Sequence, residues 1–299
     1  MEEPTLAALH PLILSDIYFS KLHSSRGIHG SFRFNLPRTS RSLELSRAYA
    51  PGDSVRHIDW KMYARSNQLI VRQQREEALA KVIIYLDSSP SMDWPNEGLK
   101  NIVGKVPRKF EVAARVAFNL VYRHKRMGDQ TQLILLESQD LEDNVLCFTP
   151  NNPSEVLSAF DYCMNGSFQI ETVKGMLKGE HPYLHNTHLI YWIGDLCSLP
   201  FTDEVFEHTH RFCLFHLLSH LEKDPSWMED KTCYFDQSSK FKEYLGQDLK
   251  AKNKYIRKIE KWCETIEHEV TRKGGMYLSF TDKSSLQNYF AGLEALASW

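Results

Sequence analysis

The sequence predicts an α/β protein built on a doubly wound, mostly parallel sheet of six strands. Three observations lead there. Short uninterrupted apolar runs recur along the chain, as in strands buried on both faces of a parallel sheet. Stretches with apolar residues at helical spacing lie between them. Two of the apolar runs end in a carboxylate, Asp87 and Asp195, where ligands collect in such folds. At 299 residues the chain can bury a full core, as one large domain or as a domain with an appendage.

Residues 80–87 carry the run Lys81-Val82-Ile83-Ile84-Tyr85-Leu86 and read as the central strand. Residues 108–126 repeat Phe110, Ala113, Ala114, Ala117, Leu120 and Val121 at helical spacing. They end in Arg123, His124, Lys125 and Arg126, which suit the negative end of a helix dipole, before the stop Gly128-Asp129. Residues 132–136 and 145–148 read as strands joined through a turn-rich segment, so one strand there runs antiparallel. Helices near 153–163 and 169–178 precede the strand 188–193, which ends in Gly194-Asp195. A strand at 212–218, a long charged helix at 248–273, a last strand at 275–280 and a closing helix complete the pattern.

Bulk properties narrow the function. A net charge of −2 and a pI near 6.7 leave no overall footprint for nucleic acid, and no binding motif accompanies them. Charge is nonetheless uneven: residues 21–75 hold nine Arg and two Lys against Glu44, Asp53 and Asp59. Six scattered cysteines form neither a zinc knuckle nor a Cys-x-x-Cys pair and fit reduced thiols. No leader pattern and no apolar run of membrane-spanning length occur, so the expectation is a cytoplasmic protein without direct membrane insertion.

The sharpest local feature is Asp87-Ser88-Ser89-Pro90-Ser91-Met92, directly behind the central strand. One carboxylate and two hydroxyls at alternate positions of a tight loop can face one point. Small divalent cations take few protein oxygens and keep waters, so the spacing reads as a magnesium site, with manganese or calcium as alternatives. Hydroxyls bring no charge, so the ion would stay electrophilic and accept a carboxylate from another molecule. The plain alternative is a polar loop capping a strand, since Ser and Asp are common in loops.

The strand followed by Asp-x-Ser-x-Ser, with a later strand ending in Asp, resembles the metal-ion-dependent adhesion site of von Willebrand factor A domains. Upstream, Arg47-Ala48-Tyr49-Ala50-Pro51-Gly52-Asp53-Ser54-Val55-Arg56-His57-Ile58-Asp59-Trp60, continuing to Ala64-Arg65, resembles the signature of bacterial domain-of-unknown-function family fifty-eight. Glu76-Glu77, Lys109-Phe110-Glu111 and Gly128-Asp129 extend that resemblance. It implies a von Willebrand A-like (Rossmann-like) domain over residues 80–299, with an N-terminal Arg-rich extension, 1–79, packed on it. It also implies association with a MoxR-type AAA+ ATPase that assembles or activates client proteins, a client offering a Glu or Asp to the metal. Carried over residue by residue, Asp87, Ser89 and Ser91 match the first metal motif, and Asp195 matches the third, acting through water. Ser167 in Gly166-Ser167 is the choice for the second motif, with Thr149 and Thr172 as rivals. Residues 93–107 form a longer link than the family pattern has, suited to a lid or partner contact.

Other features have competing explanations. Arg47, Arg56 and Arg65 flank a Pro-Gly-Asp turn and would either pair with Asp53 and Asp59 as scaffolding or dock an acidic partner. Trp60, Met62 and Tyr63 are expected to be core anchors. The His208/His210 and His185/His188 pairs match no zinc ligand pattern, and Asp129 is explained by turn chemistry. A metal-dependent hydrolase is the competing class. Against it, no general base, phosphate-cradling loop or nucleophile elbow accompanies the metal loop. A metal-independent scaffold using the Arg-rich segment is the third.

Overall fold

The structure, a computed structural model, describes residues 4–13, 42–49, 58–76, 80–95, 104, 106–136, 146–165, 169–177, 187–197, 209–228, 234–235, 243–244 and 249–298. Near the N-terminus β1 (Ser42–Ala48), α1 (Trp60–Ser66) and β2 (Ile70–Glu76) form one unit. Its strands pair antiparallel from Ser42 opposite Glu76 to Ala48 opposite Ile70. Helix α1 starts where Asp59 Oδ1 accepts from the Lys61 and Met62 amides at 3.0 Å, an N-cap. It stops at Asn67, whose φ of 54° is left-handed.

The main sheet is built from β3 (Lys81–Asp87), β4 (Gln130–Leu136), β5 (Leu146–Phe148), β6 (Thr187–Gly194), β7 (Thr209–Leu218) and β10 (Met276–Thr281). The short pair β8 (Tyr234–Phe235) and β9 (Glu243–Tyr244) lies apart from it. The spatial order is β10-β7-β6-β3-β4-β5, and only β5 runs antiparallel, against β4. This is the six-stranded, doubly wound sheet expected from the apolar runs. The chain leaves β3 toward β4 on one side and returns to β6 on the other. The winding therefore reverses between β3 and β6, and the crevice at their carboxyl ends is the topological switch point.

Alternation along β3 explains why it is buried on both faces. Val82, Ile84 and Leu86 face α2 (Lys109–Arg126), α3 (Pro153–Asn165), α4 (Ile170–Met176) and α7 (Leu286–Ser298) in one core cluster. Ile83 and Tyr85 join Ile134, Trp192 and Leu214 in a second cluster, closed by Ile266 and Val270 of α6 (Leu249–Arg272). Leu6 and Leu9, on a 3-10 turn at the start of the chain, are fully buried in the first cluster. A bridge from Thr5 to Ser285 fixes them there.

Helix α2 lies against β3 and β4 and buries almost every residue of its length. Phe110, Val116, Phe118, Leu120 and Val121 are all within 1% of full burial. At about 1.5–3 kcal/mol for each such side chain, they outweigh the cost of several kcal/mol for an ion buried on the same helix. Among the described residues no helix is long and apolar enough to cross a membrane.

Candidate functional site

β3 carries Asp87 to the switch-point crevice, and β6 carries Gly194 and then Asp195 to its other wall. Both carboxylates are fully buried. After Asp87 the chain is tied to the neighbouring strand, because the Ser88 amide and hydroxyl both donate to the Leu136 carbonyl, at 2.9 and 2.8 Å. It then enters a 3-10 turn, Pro90–Asp93, with Ser89 as its N-cap residue. That turn swings Ser91 back over the strand ends. The Ser89 and Ser91 hydroxyls lie 3.0 Å apart, and the Ser91 hydroxyl donates to Asp195 Oδ1 at 3.1 Å. Asp87 Oδ1 accepts from the Ser89 amide at 2.8 Å, while Asp87 Oδ2 is buried with no hydrogen-bond partner among the described residues.

The oxygens of Asp87, Ser89, Ser91 and Asp195 thus share one crevice. Their chemistry fits a small hard cation. Neighbouring ligands of an octahedral magnesium ion, bound at about 2.0–2.1 Å, lie about 3 Å apart, a spacing that equally suits a hydrogen-bonded chain of hydroxyls. A cation would satisfy the buried Asp87 Oδ2, which the chain of hydroxyls leaves without a hydrogen bond from the described residues. Among the described residues no group of three or more His, Cys, Asp or Glu is placed to hold a metal ion. An ion here would therefore rest on two carboxylates, hydroxyls and water.

Electrostatics mark Asp87 as the frustrated member. Burial, followed by the negative charge of Asp195, pushes its pKa up to about 6, against weaker help from Ser89 and Lys109. Asp195 goes the other way. Burial would raise it, but Lys109, the Cys197 amide and the Ser91 hydroxyl hold its pKa below the ordinary value. The Cys197 amide donates to Asp195 Oδ1 at 2.9 Å.

Lys109, the first residue of α2, entered the sequence reading only as part of the family resemblance, yet its side chain lies at the crevice. Its ammonium donates to Asp195 Oδ2 and to Glu222 Oε1, each at 2.7 Å, with the side chain 2% exposed. Burial alone would lower its pKa, but Glu222 and Asp195 more than reverse that and keep it charged. Glu222 sits on the single helical turn α5 (His220–Lys223), where its Oε2 accepts from the Ser219 amide at 2.8 Å in a capping box. The available signal was a lysine in the first turn of a mostly buried helix, at the positive end of its dipole, a poor place for a positive charge unless acids await it.

Behind the crevice, His216 is kept neutral by burial, which drives its pKa down to about 4. Its Nε2 lies 3.2 Å from the Asp195 carbonyl, which only accepts, so Nε2 carries the proton. Nδ1 then accepts from the Tyr277 hydroxyl at 2.8 Å. This fixes the backbone at Asp195.

The remaining expected residues are dispersed. Ser167 and Arg56 lie outside the described residues. Thr149 follows β5 beside Gln132, whose Nε2 donates to its hydroxyl at 3.4 Å. Gln132 pairs with Ile83, four residues before Asp87, so Thr149 is about 13 Å along the strand from the crevice at 3.3 Å per residue. Thr172 sits in the first turn of α4. Arg47 lies on β1 opposite Val71, and Arg65 is exposed in the last turn of α1. Trp60, Met62 and Tyr63 are not core anchors: they are 58%, 43% and 38% exposed. The physical reason is that α1 has only seven residues, none of them buried, so its aromatic residues have no inward face to occupy. Of residues 93–107, Trp94 packs edge-on against Trp227 and its carbonyl accepts from the Lys109 amide at 2.8 Å. Asp93 pairs with Arg108 at 3.0 Å.

Compared with known proteins, residues 45–152 match the model of a family described as "Protein of unknown function DUF58". The matched stretch runs from β1 through α1, the Asp87–Ser91 loop, α2 and β5, and ends before Asp195. No curated protein matches the chain.

Proposed function

We propose that this chain, whose residues 45–152 match the DUF58 family model, is a non-catalytic, metal-dependent protein-binding module. Asp87, Ser89 and Ser91 would hold a divalent cation, magnesium by preference, with Asp195 acting through water and Ser167 as a further candidate ligand. The ion would supply an electrophilic position for a Glu or Asp from a protein partner. The observation that carries this reading is the Oδ2 of Asp87, buried and without a hydrogen-bond partner among the described residues, on the loop that brings the Ser89 and Ser91 hydroxyls together. A buried carboxylate only partly compensated by Ser89 and Lys109 destabilises the fold, and such costs persist where function needs them. A cytoplasmic setting and a MoxR-type AAA+ ATPase acting on a client are the partner system that the family resemblance suggests.

The test is capture of partners from the native host by the tagged chain, with and without chelator, alongside Asp87→Ala. Partners released by chelator and absent with the variant support the reading. Partners retained in both sink it.

A second reading rests on a different observation. Trp60, Met62 and Tyr63 are exposed beside Lys61 and Arg65, inside the family-matched stretch. An aromatic and basic surface of this kind suits contact with an acidic partner without any metal, with Arg65 as its described arginine and Arg47 and Arg56 as further candidates from the same basic stretch of sequence. Partner capture that survives chelator and fails with Arg65→Glu selects it.

A further inference from the structure

The position of Lys109 bears on how strongly the crevice would hold an ion. Its ammonium lies at 2.7 Å from acids on two different elements, Asp195 behind β6 and Glu222 on α5. It takes Oδ2 of Asp195, while Oδ1 faces Ser91 and the Cys197 amide. Glu222 is anchored independently, by the Ser219 amide. Two buried carboxylates, Asp195 and Glu222, thus hold one buried ammonium, and a third, Asp87, is buried on the opposite wall of the crevice close enough to feel its charge. The group carries a charge of −2 when all four are ionised, the charge that one divalent cation cancels.

We infer that Lys109 is a built-in counter-cation that sets the divalent affinity of the crevice, with Glu222 as the second seat that draws its charge away from Asp195. This rests on the reading that the crevice takes a divalent ion. Without an ion, Lys109 bridges Asp195 and Glu222, two acids that would otherwise repel. With an ion, ammonium and cation oppose each other across Asp195, so affinity stays moderate and an external carboxylate retains a share in the coordination. Lys109 is a positioning residue in this scheme, since it acts through Asp195 and not on a bound partner.

The two partners of the bridge give predictions of opposite sign. Lys109→Met removes the competing charge and tightens magnesium or manganese binding by about tenfold or more, because like charges a few ångströms apart in a buried site interact strongly. The same variant lowers the melting temperature of the metal-free protein, and magnesium restores much of the loss. Glu222→Gln leaves the ammonium to Asp195 alone and weakens binding by about tenfold. A lysine serving only to hold the fold together would not move the two affinities in opposite directions.

The experiment is calorimetric titration of the full chain, wild type, K109M and E222Q, with magnesium chloride and manganese chloride, and melting curves with and without the ion. Tighter binding by K109M with weaker binding by E222Q supports the inference, as does a K109M chain that folds only with magnesium present. If K109M does not fold at all, E222Q decides: weaker binding supports the inference, and equal or tighter binding overturns it. Wild-type binding that K109M leaves unchanged or weakens overturns the role of Lys109 alone. Binding by neither wild type nor K109M overturns the metal reading as well.

Discussion

Gly194 on β6 leaves room for Asp87 on β3: a Cβ at Gly194 would stand 2.6 Å from Asp87 Cβ and 2.7 Å from its Oδ2. The carboxylate that the crevice depends on thus fills the space a side chain would take on the neighbouring strand. Gly194→Ala must push the Asp87 carboxyl aside or spread the two strands. The expected outcome is a loss of about 1–3 kcal/mol by overpacking, together with loss of divalent binding, read by denaturation and calorimetry. Gly175→Ala is the control. A Cβ there, on α4, meets nothing among the described residues within 4 Å, so helix propensity alone should leave stability unchanged or raise it by about 0.5–1 kcal/mol.

Asp87→Asn separates folding from ligation. The aspartate pKa of about 6, against an ordinary 3.8, shows that the folded state disfavours the charged form. A raised carboxylate contributes its stability below the unfolded value, and that stability is lost as pH rises through the folded one. At neutral pH the charge therefore costs about 1–3 kcal/mol, since a pKa difference of one between the folded and unfolded chain corresponds to about 1.4 kcal/mol. The neutral variant is expected to be more stable than wild type in chelator at pH 7.5, and to bind no magnesium. An unchanged or lower melting temperature in chelator would show that the wild-type carboxylate is compensated in some other way.

Much of this arrangement was legible because it is local. The run Val82 to Leu86 followed by Asp87, and the run Leu189 to Ile193 followed by Gly194-Asp195, announce buried strands with acids at their ends. Doubly wound topology then brings the two ends together. The partnership of Lys109 with Glu222 was not legible, because 113 residues separate them and neither belongs to a recognisable metal motif. Asp129 shows the same limit. It does follow a left-handed Gly128 in a turn, yet its carboxylate also accepts from the Ala80 amide at 3.1 Å and pairs with His124. Trp60 failed in the other direction: aromatic identity argues for burial, but a helix of seven residues on a two-stranded ribbon offers no interior.

That exposure gives a prediction of its own. Trp60 and Tyr63 touch each other edge to face at 6.1 Å, on a helix whose residues are all exposed. Replacing Trp60 with Ala removes little buried area, so stability is expected to stay within about 0.5 kcal/mol of wild type by chemical denaturation. A loss above about 2 kcal/mol would mean that the indole is packed in solution, and α1 would cease to qualify as a contact surface.

The far end of the sheet supplies a pH dependence unconnected with the crevice. His124 on α2 is buried, with Nδ1 2.7 Å from Asp129 Oδ2 and Nε2 3.0 Å from the Tyr191 hydroxyl. Burial lowers its pKa from 6.5, with Arg123 adding to that and Asp129 opposing it. The neutral ring donates from Nδ1 to the carboxylate and accepts from Tyr191 at Nε2. Above pH 6.5 neither the folded nor the unfolded chain binds a proton here, and the stability from this site is complete. As pH falls below 6.5 the unfolded chain takes up a proton that the folded chain refuses. Stability then declines by at most about 1.4 kcal/mol per pH unit, until the lowered folded value is passed. His216 titrates in the same direction, between 6.5 and about 4, so wild type alone does not isolate the effect. His124→Gln keeps a donor and an acceptor but no titration. It should be less stable than wild type at pH 7.5, with the gap narrowing toward pH 5 when both are unfolded in urea across that range. A gap that stays constant with pH would mean that His124 takes up its proton over the same pH range in the folded and the unfolded chain.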